Sequence, residues 1–158
     1  MIKSYDKQIA KVEKQINDHL DQHPDLKKNK ELLTSIPGIG CTTAGILLSE
    51  INRSLDPKQQ VAHAGLAPRE RQSGMHRGKS QLCKTGSRRL RSALFMPTLA
   101  AIRCNPVIRT FYLRLLSRGK PRMVVVAACM RKLLHIAIGV LKNQNPFDPE
   151  YEQLSLAS

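Results

Sequence analysis

The sequence predicts a mainly α-helical bundle containing a helix-hairpin-helix motif, with a coiled-coil-like helix at its N-terminus and a basic, glycine-rich loop in its middle. Three observations predict it. Apolar residues recur every three or four positions near both ends of the chain, which is the helical period. Ile36-Pro37-Gly38-Ile39-Gly40 interrupts two helical stretches. Alternating apolar and polar runs, the mark of half-buried strands, are weak throughout. At 158 residues the chain fits one domain plus an appendage. A 41% hydrophobic content suffices for a core, and with 4% aromatics and no Trp that core must be aliphatic.

Taken in order, residues 1–23 form the first element. Ile2, Tyr5, Ile9, Val12, Ile16 and Leu20 step by three or four, close to a heptad seam, with Lys, Asp, Glu and Gln between them. The seam can pack on a partner helix or on the chain's own core. His23-Pro24 breaks it, and a second helix follows from Asp25 to Ser35. Beyond the Pro-Gly-Ile-Gly turn, Thr42 to Ile51 is helical again. The glycines Gly38 and Gly40 permit a tight turn, and free amides at the start of the next helix can meet a phosphate. An ordinary corner between two helices is the alternative.

Asp56 caps a short helix that has Pro57 at its first position and reaches Ala64. From Gly65 to Gly86 the helical period vanishes. A loop this long within a domain is functional or disordered, and its glycines suggest tight turns and a small hairpin. Ser87 caps the next helix, which runs past Pro97 to Arg103. Asn105-Pro106 opens another that ends at Arg118-Gly119, and Pro121 opens the last, through Lys142. Val124, Val125, Ala127, Ala128, Leu133, Leu134, Ile136, Ala137 and Ile138 surround most faces of that last helix, making it the central buried one. The domain is thus expected over 24–143, followed by a flexible acidic tail over 144–158.

Charge is distributed unevenly. From Pro57 to Pro146 there are eighteen Lys or Arg and one acidic residue, Glu70, whereas the first 56 residues carry eight of each sign. The formal net charge of +14 therefore belongs to one contiguous piece, and its expected partner is a polyanion, by default nucleic acid. No secretory signal stands at the N-terminus. The apolar runs Met123–Met130 and Leu133–Leu141 are each short of the roughly 20 residues that span a bilayer, so no membrane is expected. Cys41, Cys83, Cys104 and Cys129 show no zinc-ligand spacing and read as buried, reduced thiols, with disulfides or zinc as the alternatives.

Ser73 is the candidate nucleophile. Arg71, His76, Arg77 and Lys79 around it suit a phosphodiester, because cations hold the non-bridging oxygens and offset charge growing in the transition state. The alternative is a turn serine among arginines that bind phosphate passively. No Gly-x-Ser-x-Gly elbow is present. His63 and His76 are candidate proton carriers or structural histidines, His135 reads as a core histidine, and His19 and His23 as solvated. Arg69, Arg71, Arg77, Lys79, Lys84, Arg88, Arg89 and Arg91 are candidate phosphate contacts, with His76, Gly38 and Gly40. Metal-assisted phosphoryl transfer needs several converging carboxylates, and Glu70 alone cannot supply them.

Several motifs occur in order: Pro37-Gly38-Ile39-Gly40 with Thr43-Ala44, then Ala64-Gly65-Leu66-Ala67-Pro68-Arg69-Glu70, Gln72-Ser73-Gly74, Lys84-Thr85-Gly86-Ser87-Arg88-Arg89-Leu90-Arg91, and Arg118-Gly119-Lys120-Pro121. Over residues 28–143 the chain resembles the C-terminal domain of the DEDD-type insertion-sequence transposases, the IS one-ten family, Piv-type DNA invertases included. The resemblance implies a DNA recombinase whose serine, Ser73 here, forms a phosphoserine link to DNA. It also implies Mg²⁺ on a separate RuvC-like nuclease domain with four acidic ligands. A coiled coil, ending here in residues 1–23, would assemble a homo-oligomer, and a structured guide RNA would join DNA as partner. The expected location is the prokaryotic cytoplasm, at the nucleoid. No acidic nuclease domain precedes Met1 in this sequence. The chain is therefore expected to be truncated, to bind no cofactor itself and to be inactive alone, or else to act as a non-enzymatic nucleic-acid-binding module or repressor.

Overall fold

A computed structural model describes residues 2–51, 55–69, 72–73, 76–77, 81–83 and 85–150. The element order is α1 (Ile2–Gln22), α2 (Pro24–Thr34), α3 (Cys41–Glu50), α4 (Pro57–His63), β1 (Pro68–Arg69), β2 (Gln72–Ser73), β3 (His76–Arg77), β4 (Gln81–Leu82), α5 (Arg88–Cys104), α6 (Pro106–Ser117) and α7 (Arg122–Asn143). The protein is mainly helical, as its sequence predicts, and the four strands are two residues each.

Local chemistry sets the helix boundaries. Asp56 and Gln59 form a reciprocal capping box at α4, with Pro57 at its first turn. Ser87 Oγ accepts from Leu90 N–H at 3.1 Å and starts α5. Asn105 both ends α5 and starts α6: its Oδ1 accepts from the amides of Val107 (3.0 Å) and Ile108 (3.2 Å). Asn105 is fully buried, and its Nδ2 donates to Pro37 O. Thr98, also buried, satisfies its hydroxyl on Leu94 O, within the turn that α5 carries past Pro97.

The core is aliphatic and centred on α7, which buries eleven residues from Val125 to Leu141. Leu33, Ile36, Leu47, Leu66, Leu90, Leu94 and Ile108 close around it. Val124 departs from the expected pattern: it is 51% exposed, because α7 projects one turn before entering the core at Val125. By length and composition α7 could cross a membrane, but its apolar residues are the core of this bundle. The cysteines also differ from expectation. Cys129 is buried and Cys83 half-buried, whereas Cys41 and Cys104 are exposed because they stand at helix ends.

Much of the apolar seam of α1 is left uncovered. Tyr5, Ile9, Val12 and Ile16 are each more than half exposed. Only the foot of the helix meets α2 and α3, in a groove lined by Val12, Ile16, His19, Leu26, Gly45 and Leu48. His19 and His23 meet edge to face there, both exposed. At the other terminus, the expected flexible tail begins with a docked stretch. Gln144 Nε2 donates to Asn29 Oδ1 at 2.9 Å, Phe147 N–H donates to Ser35 Oγ at 2.9 Å, and the Phe147 ring packs on the core. Residues 151–158 lie outside the described residues.

Two contacts orient the bundle. Gly38, at φ +103°, brings the α2–α3 turn against Ala101 near the end of α5; a Cβ there would stand 2.7 Å from Ala101 Cβ. At the other end of α3, Glu50 Oε2 accepts from Ser87 Oγ at 2.9 Å, at the start of α5. α3 and α5 are therefore antiparallel. Ala101 and Ser87 stand about 21 Å apart along the α5 axis at 1.5 Å per residue.

Two predictions follow from the packing. Gly38→Ala should lose about 2–4 kcal/mol, since left-handed strain adds to a clash with backbone. Gly119→Ala, at φ +72° in open space, should lose only about 1 kcal/mol; urea midpoints would order the two. Burial pushes the Cys129 thiol from 9.0 up to about 12. The unfolded chain therefore ionises first, and the contribution this thiol makes to stability below about pH 9 should be lost as pH rises towards 12. Denaturation midpoints across that range should fall less steeply in Cys129→Ala, and alkylation of the native protein at mildly alkaline pH should modify Cys41 and Cys104 while sparing Cys129.

Candidate nucleic-acid interface

The basic loop expected between Gly65 and Gly86 is a pair of nested ladders. β1 pairs antiparallel with β4, Pro68 opposite Leu82 and Arg69 opposite Gln81. β2 pairs antiparallel with β3, Gln72 opposite Arg77 and Ser73 opposite His76. Two residues separate Arg69 from Gln72, and three separate Arg77 from Gln81, so the register changes by one between the ladders. Residues 74–75, between the paired strands β2 and β3, lie outside the described residues.

Both ends of this loop are clamped to the helices. On entry, Gly65 N–H donates to Ala62 O and Leu66 N–H to Val61 O. On exit, Cys83 N–H donates to Ala67 O at 2.8 Å, and Ser87 N–H to His63 O at 2.6 Å. Two glycines make the clamp possible. A Cβ on Gly65 would strike the Arg91 guanidinium, and one on Gly86 would strike His63 O; both glycines have positive φ. The entry and exit of the loop are therefore held to α4 and to the start of α5.

The predicted site residues fall into distinct groups. Ser73 and His76 are brought together as cross-strand partners at the backbone level. Arg69 and Arg77 lie on the same two ladders. Arg71, Lys79 and Lys84 lie outside the described residues, as does Glu70. Arg88 and Arg89 are exposed on the first turn of α5, beside the loop exit. Arg89 Nε stands 3.9 Å from Glu50 Oε1, a long and largely solvated pair that contributes little. Arg91 is half-buried, and its Nη1 donates to Ala64 O at 3.3 Å, so part of its fork braces the clamp. Gly38 and Gly40 do not join this group. They lie at the opposite end of α3, where Gly38 faces Ala101 and Gly40 faces open space.

Glu50 is the residue that sequence reasoning missed. It holds Ser87 across 37 positions of chain and also faces Arg89, pairings with no local signature. Arg118, Lys120 and Arg122 are also exposed, and the density of cations around Gly119 was the available signal. Among the described residues no group of three or more His, Cys, Asp or Glu could hold a metal ion. Between 57 and 146 Glu70 is the one carboxylate of the sequence, and a hard cation such as Mg²⁺ is held by oxygen ligands, carboxylates foremost.

The sequence model for the transposase IS116/IS110/IS902 family matches residues 30–113. The chain is 36% identical over 152 residues to the pilin gene-inverting protein of Moraxella bovis, covering 93% of this chain and 47% of that protein. It is 30% identical over 135 residues to an uncharacterized 43.6 kDa protein of insertion element IS110 from Streptomyces coelicolor, covering 84% and 32%. It is 26% identical over 152 residues to a 42 kDa protein of IS900 from Mycobacterium paratuberculosis, covering 94% and 37%. The chain thus spans about half the length, or less, of the curated relatives it matches.

The neighbouring arginines should separate in a mutational test. Arg91→Ala should lower stability by about 1–2 kcal/mol through loss of the charged hydrogen bond to Ala64 O. Arg88→Ala and Arg89→Ala should stay within about 0.5 kcal/mol of the parent, because both side chains are exposed. Thermal melts of the three single variants would check this.

Proposed function

The chain belongs to the transposase IS116/IS110/IS902 family, and we propose that it is the DNA-binding, serine-bearing part of a transposase or recombinase. The observation that supports the reading is the pairing of β2 with β3, Ser73 opposite His76, in a loop whose exit leads into the exposed Arg88 and Arg89. In this reading Ser73 Oγ attacks a DNA phosphorus, an O–P bond forms, and a deoxyribose oxygen leaves. The proton of the serine ends on that leaving oxygen, directly or through a base. Arginines on the phosphate offset the added charge of the transition state. The name of the Moraxella bovis relative, a pilin gene-inverting protein, supports DNA strand exchange as the chemistry.

Three further parts belong to the proposal. Mg²⁺ would be held by carboxylates from outside this chain, in a RuvC-like domain; among the described residues no group of three or more His, Cys, Asp or Glu could hold a metal ion. The exposed seam of α1 supports self-association through that helix. A structured guide RNA would be the second polyanion, consistent with a net charge of +14. The alternative is a non-enzymatic module that occupies element ends as a repressor. It shares the binding residues and dispenses with the nucleophile.

A covalent-trapping assay separates the two. The chain is mixed with labelled element-end DNA, Mg²⁺, an acidic nuclease half supplied in trans, and any flanking non-coding RNA. A denaturant-resistant protein–DNA adduct is expected, and it should vanish in Ser73→Ala while DNA binding is kept. Tight, salt-sensitive binding without an adduct, once the two halves are seen to assemble, would favour the repressor.

A further inference from the structure

The corner between α6 and α7 is a second cationic surface, distinct from the hairpin. Arg118, Lys120 and Arg122 are all exposed there, and no carboxylate occurs between Leu113 and Val124. The corner is defined by hydrogen bonds. Gly119, at φ +72°, donates to Leu116 O at 2.9 Å, and Lys120 N–H donates to Leu115 O at 3.4 Å, closing α6. After Pro121, α7 begins with three exposed residues. Met123 is 67% and Val124 51% exposed, whereas Val125 is fully buried. Large apolar side chains standing between cations on a projecting helical turn are poorly placed in water and well placed in a nucleic-acid groove.

The corner lies at the hairpin end of the bundle. Beyond the C-terminal end of α7, Gln144 is bonded to Asn29 of α2 and Phe147 N–H to Ser35 Oγ at the end of α2, which leads into the turn that packs on Ala101. α4, which holds the loop exit through His63 O, packs on α7 as well. The first turn of α7 therefore points towards the end where Ser73 is carried.

We propose that this corner is a DNA contact in which the first turn of α7 enters the major groove of a duplex, with Arg118, Lys120 and Arg122 on phosphates and Met123 and Val124 against thymine methyls. The groove of B-form DNA admits a helix and displays the thymine methyl. The major groove of A-form RNA is too deep and narrow to read, and uracil lacks that methyl. This proposal rests on the DNA-binding reading above and extends it to residues which that reading does not use.

The test measures binding of the full chain to alternating d(A-T) and d(A-U) duplexes of equal length, between about 50 and 200 mM salt. Lys120→Ala/Arg122→Ala should bind at least about tenfold more weakly, with a log K against log salt slope shallower by about 2. The parent should prefer d(A-T) by several-fold, and Met123→Ser/Val124→Ser should lose that preference while keeping its affinity for d(A-U). All four positions are exposed, so melts should match the parent. Lys142→Ala, at the far end of α7, should change nothing. Equal binding of the two duplexes by the parent, or parental affinity in the Lys120/Arg122 variant, would overturn the proposal. If Arg88→Ala/Arg89→Ala loses binding while the corner variant does not, this inference alone falls. A parent chain that binds no duplex removes the DNA-binding reading together with it.

Discussion

Charge imbalance dictates how this molecule holds together. Eighteen cations share residues 57–146 with a single acidic side chain, so that stretch cannot be knitted by ion pairs with itself. Its cohesion has to come from apolar burial, and α7 supplies the surface for it: eleven buried residues on one helix, with aliphatic partners from α2, α3, α5 and α6. The polar groups that are buried are used as connectors. Asn105 joins α5 to α6 and reaches Pro37 O, and Thr98 closes on Leu94 O. With the interior settled in this way, cations such as Arg88, Arg89, Arg118, Lys120 and Arg122 are left exposed, where a polyanion can reach them.

The same packing separates two features that the sequence suggests as one surface. The Pro-Gly-Ile-Gly turn and the exit of the serine loop are fixed at opposite ends of α3 by the Gly38–Ala101 contact and the Glu50–Ser87 hydrogen bond. The offset of about 21 Å along α5 is about six steps of a duplex at 3.4 Å per base pair. A ligand touching both ends must lie along the bundle, or two different ligands must be involved. The tightness of the turn is already accounted for by the close approach of Gly38 to Ala101, whatever the open face of Gly40 meets.

The elements legible in the sequence are those with local causes. Asp56-Pro57, Ser87 and Asn105-Pro106 cap or start helices within three residues of themselves, and each was readable by type and spacing. The period of α1 gave a helix but not its partner, because amphipathicity says only that a face needs covering. Glu50 with Ser87 and Ser35 with Phe147 are contacts between distant parts of the chain, without a sequence signature. Val124, Cys41 and Cys104 were misplaced because hydrophobic type was read as burial, whereas helix ends project beyond the core. Ser73 stands apart: its cationic neighbours by residue type raise phosphate contact and a nucleophile as expectations, and the family resemblance is what favours the nucleophile over a passive turn serine.

The exposed seam of α1 and the basic body impose opposing demands on assembly. α1 itself carries as many acidic as basic side chains, so two copies of it can approach without penalty. A seam of about three heptads is a weak coiled coil when isolated. The bodies behind it carry the whole excess of positive charge and repel one another over distances of roughly a Debye length, about 8 Å at physiological salt. A polyanion bound between them removes that repulsion and leaves the seam free to zip. If the proposed DNA binding and the self-association through α1 both hold, linkage requires each to strengthen the other by the same factor. On the proposed reading, such a chain would stay dispersed when free and assemble on its nucleic acid.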